Sequence, residues 1–271
     1  MKIRIIYRNL VHKPLNALLS LVLLMLSVAI ISLLLVAGKQ VSQKLDNDLR
    51  DIDMVVGAKG SPLQLVLSAI YHVDAPTGNI PKREADKLAA NPMVESAIPL
   101  AYGDSYKGYR LLGTTPAFIQ LYEAELATGA MFEKSMEVVA GAGVAKRTGL
   151  KVGDTFHGTH GEDVRGQVHE EVEYKVTGIL APTGTVIDQL LLTNVESVWH
   201  IHDEAHGEAE QPHQHMEGEE HHDDEDRQIT AMLVKFRSPM AIMMLPRTIN
   251  EQTSMQAAVP TLEINRLLNL M

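Results

Sequence analysis

The stretch GVAKRTGLKVGD, from Gly143 to Asp154, carries the clearest local folding signal in this chain. It predicts a helix that ends at a tight turn and a strand that begins directly after that turn. Gly149 and Gly153 stand where such a turn needs a positive φ, which glycine adopts without the steric cost that a Cβ atom imposes. The stretch is therefore a folding signature, and its residue types do not indicate catalysis.

Strand and helix patterns on both sides of this turn indicate a mixed fold. A helix is predicted from Ser61-Pro62, because proline favours the first helical position, and another short helix follows Gly113–Pro116. Strands and helices do not alternate strictly, which favours an α+β fold over a doubly wound parallel sheet. The predicted strands are Met54–Val56, Val94–Leu100, Tyr109–Gly113, Val138–Ala140, Thr155–His157, Val172–Leu180, Gln189–Thr193 and Ile229–Phe236. Turn signals at Gly103-Asp104 and Lys107-Gly108 predict that the second and third of these strands pair around them.

Near the N-terminus, Leu15 to Gly38 (LNALLSLVLLMLSVAIISLLLVAG) contains no charged residue. As a helix this segment is about 36 Å long, enough to cross a hydrocarbon core of about 30 Å. The alternatives are a buried core helix, disfavoured because the segment is apolar on all sides, and a cleaved signal peptide, whose apolar region is usually shorter. An uncleaved membrane anchor is therefore the prediction.

Charges around this segment predict its orientation and the division of the chain. The basic residues before it outweigh those after it, where lysines are soon balanced by aspartates. The positive-inside rule then places the N-terminus in the cytoplasm and the main domain outside it. The predicted parts are a basic N-terminus (1–14), a transmembrane helix (15–38) and an α+β domain (39–271). The preceding basic residues are Lys2, Arg4, Arg8 and Lys13.

The composition excludes several classes of function. The chain has no cysteine, which removes disulfide scaffolds, cysteine zinc sites and cysteine nucleophiles. It also has no Walker A loop, no G-x-S-x-G elbow and no H-E-x-x-H sequence. We therefore expect a protein that is not an enzyme, and any ATPase must be a separate partner.

One segment differs from the rest: HIHDEAHGEAEQPHQHMEGEEHHDDED, residues 200–226. It holds eleven acidic residues and neither lysine nor arginine, so it accounts for the whole formal charge of −10. The rest of the chain is close to neutral, and no nucleic-acid partner is predicted. With almost no apolar residue to pack, residues 200–227 are predicted to be a disordered insertion.

The histidines of this segment are candidate metal ligands. Imidazoles among carboxylates suit Zn²⁺, Ni²⁺, Cu²⁺ or Co²⁺, but their irregular spacing predicts a loose site, and no resident cofactor is expected. Three interpretations stay open: a solvated insertion, a metal-capturing loop, and a pH-responsive element that uses histidines near pKa 6.5. The candidate ligands are His202, His206, His213, His215, His221 and His222.

The order of these pieces resembles the MacB/FtsX-like ABC transporter permeases. The similarity rests on Gly143–Asp154, on the strand Val176–Leu180 followed by Gly184-Thr185 and Asp188, and on Gly113–Pro116 before a short helix. It extends over nearly the whole chain, as a basic N-terminus, one apolar helix and a large α+β unit.

The resemblance implies a MacB-like periplasmic core domain in a bacterial inner-membrane permease. Such permeases pair with an ATPase and couple ATP hydrolysis in the cytoplasm to export, extraction or mechanotransmission outside it. The partners implied are an ABC ATPase subunit, a second copy of the full-length permease, membrane lipid and a periplasmic protein. A single-pass periplasmic metal-binding module that uses the His-rich segment is the alternative function.

The end of the chain departs from the family pattern. Pro260–Met271 has the spacing of an amphipathic helix and stops without a glycine cap, a basic last turn or a proline stop. This predicts a chain truncated before a second transmembrane helix, with a natural C-terminus as the alternative.

Overall fold

A computed structural model describes residues 13–159, 168–207 and 227–269, with the backbone alone for 168–172 and 202–207. The chain divides into two compact units, Met1–Asn47 and Asp48–Met271. In the first unit, the apolar segment lies in helix α1 (Pro14–Leu49). Among the described residues, α1 is long and apolar enough to cross a membrane, with a mean hydropathy of 3.0 over its most apolar window.

The second unit, called the domain below, mixes short helices with strands, and the predicted α+β fold is confirmed. Several elements follow the predicted bounds within a few residues, including the helix after Ser61 and the one after Thr115. In chain order the elements are β1 (Met54–Ala58), α2 (Pro62–Ala69), β2 (Ile80–Pro81), α3 (Lys82–Ala89), β3 (Val94–Tyr106), β4 (Tyr109–Thr114), α4 (Pro116–Leu121), β5 (Leu126–Gly129), β6 (Glu137–Ala140), α5 (Ala142–Thr148), β7 (Thr155–Thr159), β8 (Val168–Leu180), β9 (Leu191–Asn194), α6 (Val195–Gly207), β10 (Gln228–Ile229), β11 (Ala231–Phe236), α7 (Met240–Gln252), β12 (Met255–Ala258) and α8 (Pro260–Asn269).

The described strands of the domain form one large mixed sheet beside the small β10–β2 pair. The order is β12–β1–β11–β3–β4–β9–β6–β8–β5, and β7 pairs with β3 and β8. Strands β4 and β9 are parallel, as are β6 and β8, whereas the other pairs are antiparallel. Antiparallel strands can be joined by short turns, whereas parallel strands need longer crossover connections. A sheet with both kinds of pair is typical of an α+β domain.

Among the described residues, two of the apolar clusters along this sheet position the features discussed below. The first joins β1, β11 and β12 to helices α3 and α7, with Met54, Val234 and Leu245 among its buried residues. The second joins β4, β6, β8 and β9 to helix α5, around Tyr174 and Val176. Helix α6 contributes to both cores, through Val198 in the first and Ile201 in the second. We call the part of the domain around the first core the first lobe and the part around the second core the second lobe.

The turn predicted between Gly149 and Gly153 is confirmed. Helix α5 ends at Gly149, which has a φ of 81°, and Gly153 has a φ of 94°. The Asp154 carboxylate accepts a hydrogen bond from the backbone N–H of Lys151 at 2.8 Å. Gly153 N–H donates to the Val176 carbonyl at 2.8 Å, so the turn is tied to β8 as well as to β7.

The predicted turn at Gly103-Asp104 is wrong, because β3 continues through both residues. A Cβ atom at position 103 would lie 3.2 Å from Val198 Cγ2 and 3.3 Å from Leu111 Cδ2. Glycine therefore allows α6 to pack closely on the strand there, and the actual turn lies at Lys107-Gly108, where both φ values are positive.

A partly buried histidine that the sequence did not single out follows α2. His72 has a φ of 53°, and its ring packs edge-on against Tyr102 and Phe118. The Tyr102 hydroxyl donates to the Ser68 carbonyl, so Nδ1–H of His72 donates to Tyr102 Oη at 2.8 Å. Nε2 is then a buried acceptor without a hydrogen-bond partner in the described part of the chain. Burial, and next the nearby Arg110 guanidinium, lower the pKa of His72 to about 3.

This histidine predicts that the domain loses stability in acid. Above its unfolded pKa of about 6.5, His72 is neutral in both states; as the pH falls towards 3, only the unfolded state gains the proton. We expect the free energy of unfolding to fall by up to roughly 4 kcal/mol across this window. Chemical unfolding at a series of pH values measures the effect.

The control is His72→Phe, which cannot titrate and keeps an aromatic ring against Phe118. Its stability should depend less steeply on pH between about 3 and 6.5, because carboxylates contribute equally to both proteins. Should His72→Phe not fold, His72→Asn serves instead, since asparagine tolerates a positive φ. Parallel curves for the wild type and the variant would contradict the assignment.

Candidate functional site

The chain enters the domain through a small set of polar contacts, which we call the entry site: Asp48, Tyr122, Val186 and Asp188. Asp48 is 2% exposed and lies at the end of α1. Its Oδ1 accepts a hydrogen bond from Val186 N–H at 3.0 Å. The Tyr122 hydroxyl donates to the Asp48 backbone carbonyl at 3.3 Å.

Tyr122 is a neutral donor in this site. Burial raises its pKa above the usual value near 10, and the negative charge of Asp48 raises it further. Its ring packs edge-on against Phe118 within α4, with 5.1 Å between the centroids. The phenol therefore keeps its proton at any physiological pH, and its hydrogen bond to the Asp48 carbonyl does not titrate.

The loop that meets Asp48 is shaped by a second carboxylate. Asp188 accepts hydrogen bonds from Thr183 N–H at 3.0 Å and from Gly184 N–H at 2.8 Å, and one from the Thr183 hydroxyl at 3.0 Å. Gly184 has a φ of 74°, which turns the loop back on itself. Val186 N–H then points at Asp48. The Gly184-Thr185 and Asp188 signature of the sequence thus organises the loop that holds the entry carboxylate.

Arg50 closes the entry site at the surface. It has a φ of 44°, directly after the end of α1, and its guanidinium lies 3.2 Å from the Glu123 carboxylate. The same guanidinium donates to the Tyr122 carbonyl at 3.5 Å. The Glu123 side chain is 81% exposed, so this ion pair adds less than the buried Asp48 contact.

The His-rich segment leaves and rejoins the domain at one place. Trp199 on α6 donates from Nε1 to the Gln228 carbonyl at 2.7 Å, and the Arg227 guanidinium lies 4.9 Å from the indole centroid. The Arg227 carbonyl also accepts a hydrogen bond from Lys82 N–H at 2.9 Å. Trp199, Arg227 and Gln228 therefore form a stem that closes the excursion at its base.

The predicted metal ligands are only partly within the described chain. Helix α6 extends to Gly207, so the backbone at His202 and His206 is helical, with the two residues four positions apart. His213, His215, His221 and His222 lie outside the described residues. Within residues 13–159, 168–207 and 227–269, no group of three or more His, Cys, Asp or Glu is placed to hold a metal ion. The metal site stays a prediction.

Sequence reasoning missed the entry site. Asp48 lies in the polar residues that follow the apolar run Leu15–Gly38, and nothing local marks it as buried. Its hydrogen-bond partner Val186 is 138 positions away. The one available signal was the Gly184-Thr185 and Asp188 pattern, which predicted a turn without indicating what that turn contacts.

Comparison with solved structures shows related folds. The chain is similar to the periplasmic region of MacB from Actinobacillus actinomycetemcomitans, with a TM-score of 0.51 and 12% identity over 84% of this chain and 99% of that one. It also matches the extracellular domain of the noncanonic ABC-type transporter YknZ from Gram-positive bacteria, with a TM-score of 0.44 and 11% identity over 75% and 98% of the two chains. A search of curated proteins finds no significant match.

The comparison with protein families is more specific. Residues 17–242 match the MacB-like periplasmic core domain, a range that includes most of α1, the entry site and the stem. The resemblance inferred from Gly143–Asp154 is thereby confirmed. The chain belongs to the family of ABC transporter permeases that carry a MacB-like periplasmic core domain.

Proposed function

We propose that the chain works as a membrane permease subunit whose periplasmic domain couples ATP hydrolysis by a cytoplasmic ATPase to export, extraction or mechanotransmission. The family provides the context of an ABC transporter with an ATPase partner. We also propose that the domain itself catalyses no reaction. It further assigns the chain to a bacterial inner membrane, with the N-terminus in the cytoplasm.

The entry site is the observation that carries the proposal. Coupling requires a mechanical connection between the point where the chain enters a domain and the rest of that domain. Asp48 provides such a connection, because its buried carboxylate accepts from Val186 and its carbonyl accepts from Tyr122. Displacement at Asp48 would therefore be transmitted to the loop before β9 and to helix α4 together.

The proposed assembly follows from the same role. A second copy of the full-length permease would complete the transmembrane part, and membrane lipid would surround the apolar face of α1. A periplasmic protein would receive the motion or the substrate. The basic residues before α1 support the orientation, since positive charge is retained on the cytoplasmic side.

Orientation can be tested with single cysteines, because the chain has none of its own. Lys151 is exposed in the turn after α5, so Lys151→Cys should react with a membrane-impermeant maleimide in intact spheroplasts. Lys2→Cys should react only after lysis. The reverse pattern would overturn the proposed orientation, and labelling of both positions in intact cells would exclude a stable membrane span.

Removing the Asp48 carboxylate should uncouple the domain. Asp48→Ala leaves the part-buried Val186 N–H without its acceptor, which should lower the free energy of unfolding by about 1 kcal/mol. With the ATPase bound, we expect ATP hydrolysis to continue while motion of the domain is largely lost. Spin labels at Lys13→Cys, before the membrane span, and at Lys151→Cys in the domain report that motion as a change in their distance distribution on adding ATP.

The matched control is Asp48→Asn, in which the amide oxygen can still accept from Val186 N–H. It should retain most of the ATP-dependent distance change. If Asp48→Ala behaves like the wild type, the entry site does not transmit motion. If the chain never associates with an ATPase, the permease proposal itself is wrong.

The metal-binding module is the second candidate, and the stem is the observation that makes it testable. Because Trp199, Arg227 and Gln228 close the base of the excursion, deletion of residues 208–226 should leave the domain folded. If the segment captures metal, this deletion, which removes four of the six candidate ligands, should strongly reduce the Zn²⁺ uptake that calorimetry measures on the full chain. Unchanged uptake would exclude the segment as the site.

A matched variant separates the histidines from the acidic charge. Glutamine at the six candidate ligands keeps the length and the carboxylates but removes the imidazoles that Zn²⁺ prefers. Its uptake should fall as far as that of the deletion. Uptake that persists in this variant but not in the deletion would assign the binding to the carboxylates.

A further inference from the structure

Helix α7 exposes a compact set of methionines, which we call the methionine face: Met240, Met243 and Met244. Their exposed fractions are 69%, 82% and 54%. They belong to the first lobe and lie outside the entry site and the stem. Isolated exposed apolar residues are ordinary, but three large ones within one helical turn are not explained by the packing of this domain.

Helix geometry places the three side chains together. Residues at i, i+3 and i+4 lie on one face, so Met240, Met243 and Met244 are neighbours on the surface of α7. The opposite face carries Ala241, Leu245 and Ile249, which are 0%, 4% and 3% exposed. The helix thus buries Ala241, Leu245 and Ile249 in the first core, whereas its three thioethers and Ile242, which is 38% exposed, lie at the surface.

The exposed set is distinguished by its chemistry as well as its position. Three thioether sulfurs on adjacent positions are soft ligands, and soft ligands select Cu(I) over the harder divalent ions. Ag(I) shares the charge and softness of Cu(I). Because the chain has no cysteine, methionine is its sole source of sulfur ligands.

The electrostatic surroundings are compatible with a cation. The next turn of the helix carries Arg247, whose charge is neutralised by Glu251 at 2.8 Å. This pair raises the pKa of Arg247, and it leaves no net positive charge from that turn to repel a bound ion. Thioethers carry no negative charge to offset that of a bound ion, so they accommodate a monovalent cation more easily than a divalent one.

We propose that Met240, Met243 and Met244 form a thioether site for a soft monovalent cation, Cu(I) or Ag(I). The site is independent of the permease assignment and of the His-rich segment, whose imidazoles and carboxylates suit divalent ions. An apolar docking surface for a protein is the competing interpretation, since methionine is common on adaptable binding surfaces. The two differ in one respect: a docking surface needs apolar area, whereas the cation needs sulfur.

Methyl NMR tests this directly on the full chain in detergent. Methionines labelled with ¹³C in the methyl group are titrated with Ag(I), a diamagnetic probe. The signals of Met240, Met243 and Met244, assigned by single Met→Leu variants, should shift together and saturate at a single equivalent of Ag(I). Buried Met54 and Met255, which are 0% and 3% exposed, should not respond.

The variant Met240→Leu/Met243→Leu/Met244→Leu keeps the apolar area and the helix propensity while removing all three sulfurs. It should lose the Ag(I) equivalent that these methionines bind but retain the circular dichroism spectrum of the wild type. Met25→Leu is the matched control, since Met25 has no methionine at i+3 or i+4, and it should leave the titration unchanged.

Four results would overturn the proposal. One is the absence of shifts at the methionine face. A second is a gradual response of every methionine without saturation, which indicates unspecific contact with silver. A third is that the triple leucine variant binds Ag(I) as the wild type does. Zn²⁺ should leave the three methyl signals in place, and a shift with Zn²⁺ would equally contradict a soft-cation site.

Discussion

Strand β3 is the element on which the rest of the domain depends, because it is hydrogen-bonded in both lobes. Its first half pairs with β11, from Val94 to Leu100, and its second half pairs with β4, from Ala101 to Tyr106. The strand passes from one pairing to the other between Leu100 and Ala101, and its register with β4 shifts between Tyr102 and Ser105. A break at this point would separate the two cores, so the continuity of β3 is what makes the large sheet one structure.

Helix α6 reinforces that continuity from one face of the sheet. Val198 approaches both Gly103 on β3 and Gly113 on β4, so closely that a Cβ atom at position 113 would lie 2.6 Å from its Cγ2. The absence of side chains at these two positions lets the helix contact the strands at the junction of the lobes. The same helix carries Trp199, which belongs to the stem. The His-rich segment therefore begins on the helix that packs in both cores.

The entry site and the methionine face illustrate two different uses of surface chemistry in one domain. At the entry site, a carboxylate is buried and satisfied by hydrogen bonds, and removing its partner would leave a costly unpaired group. On α7, sulfur-bearing side chains are exposed although the domain has apolar cores that could bury them. The first arrangement suits transmission of force through fixed contacts, and the second suits capture of a ligand from solution.

The sequence by itself determined the features whose causes are local. The uncharged run Leu15–Gly38 predicts the membrane helix, the glycines at positions 149 and 153 predict the turn that ends α5, and mixed strand and helix patterns predict the α+β class. These signals depend on backbone sterics and on the periodicity of apolar residues, which act over a few positions. Only the tertiary structure decided that Gly103 is a packing contact and not a turn, that Asp48 meets Val186, and that His72 packs against Tyr102. Each of these depends on residues far apart in the chain, and sheet pairing brings them together through contacts that no local pattern records.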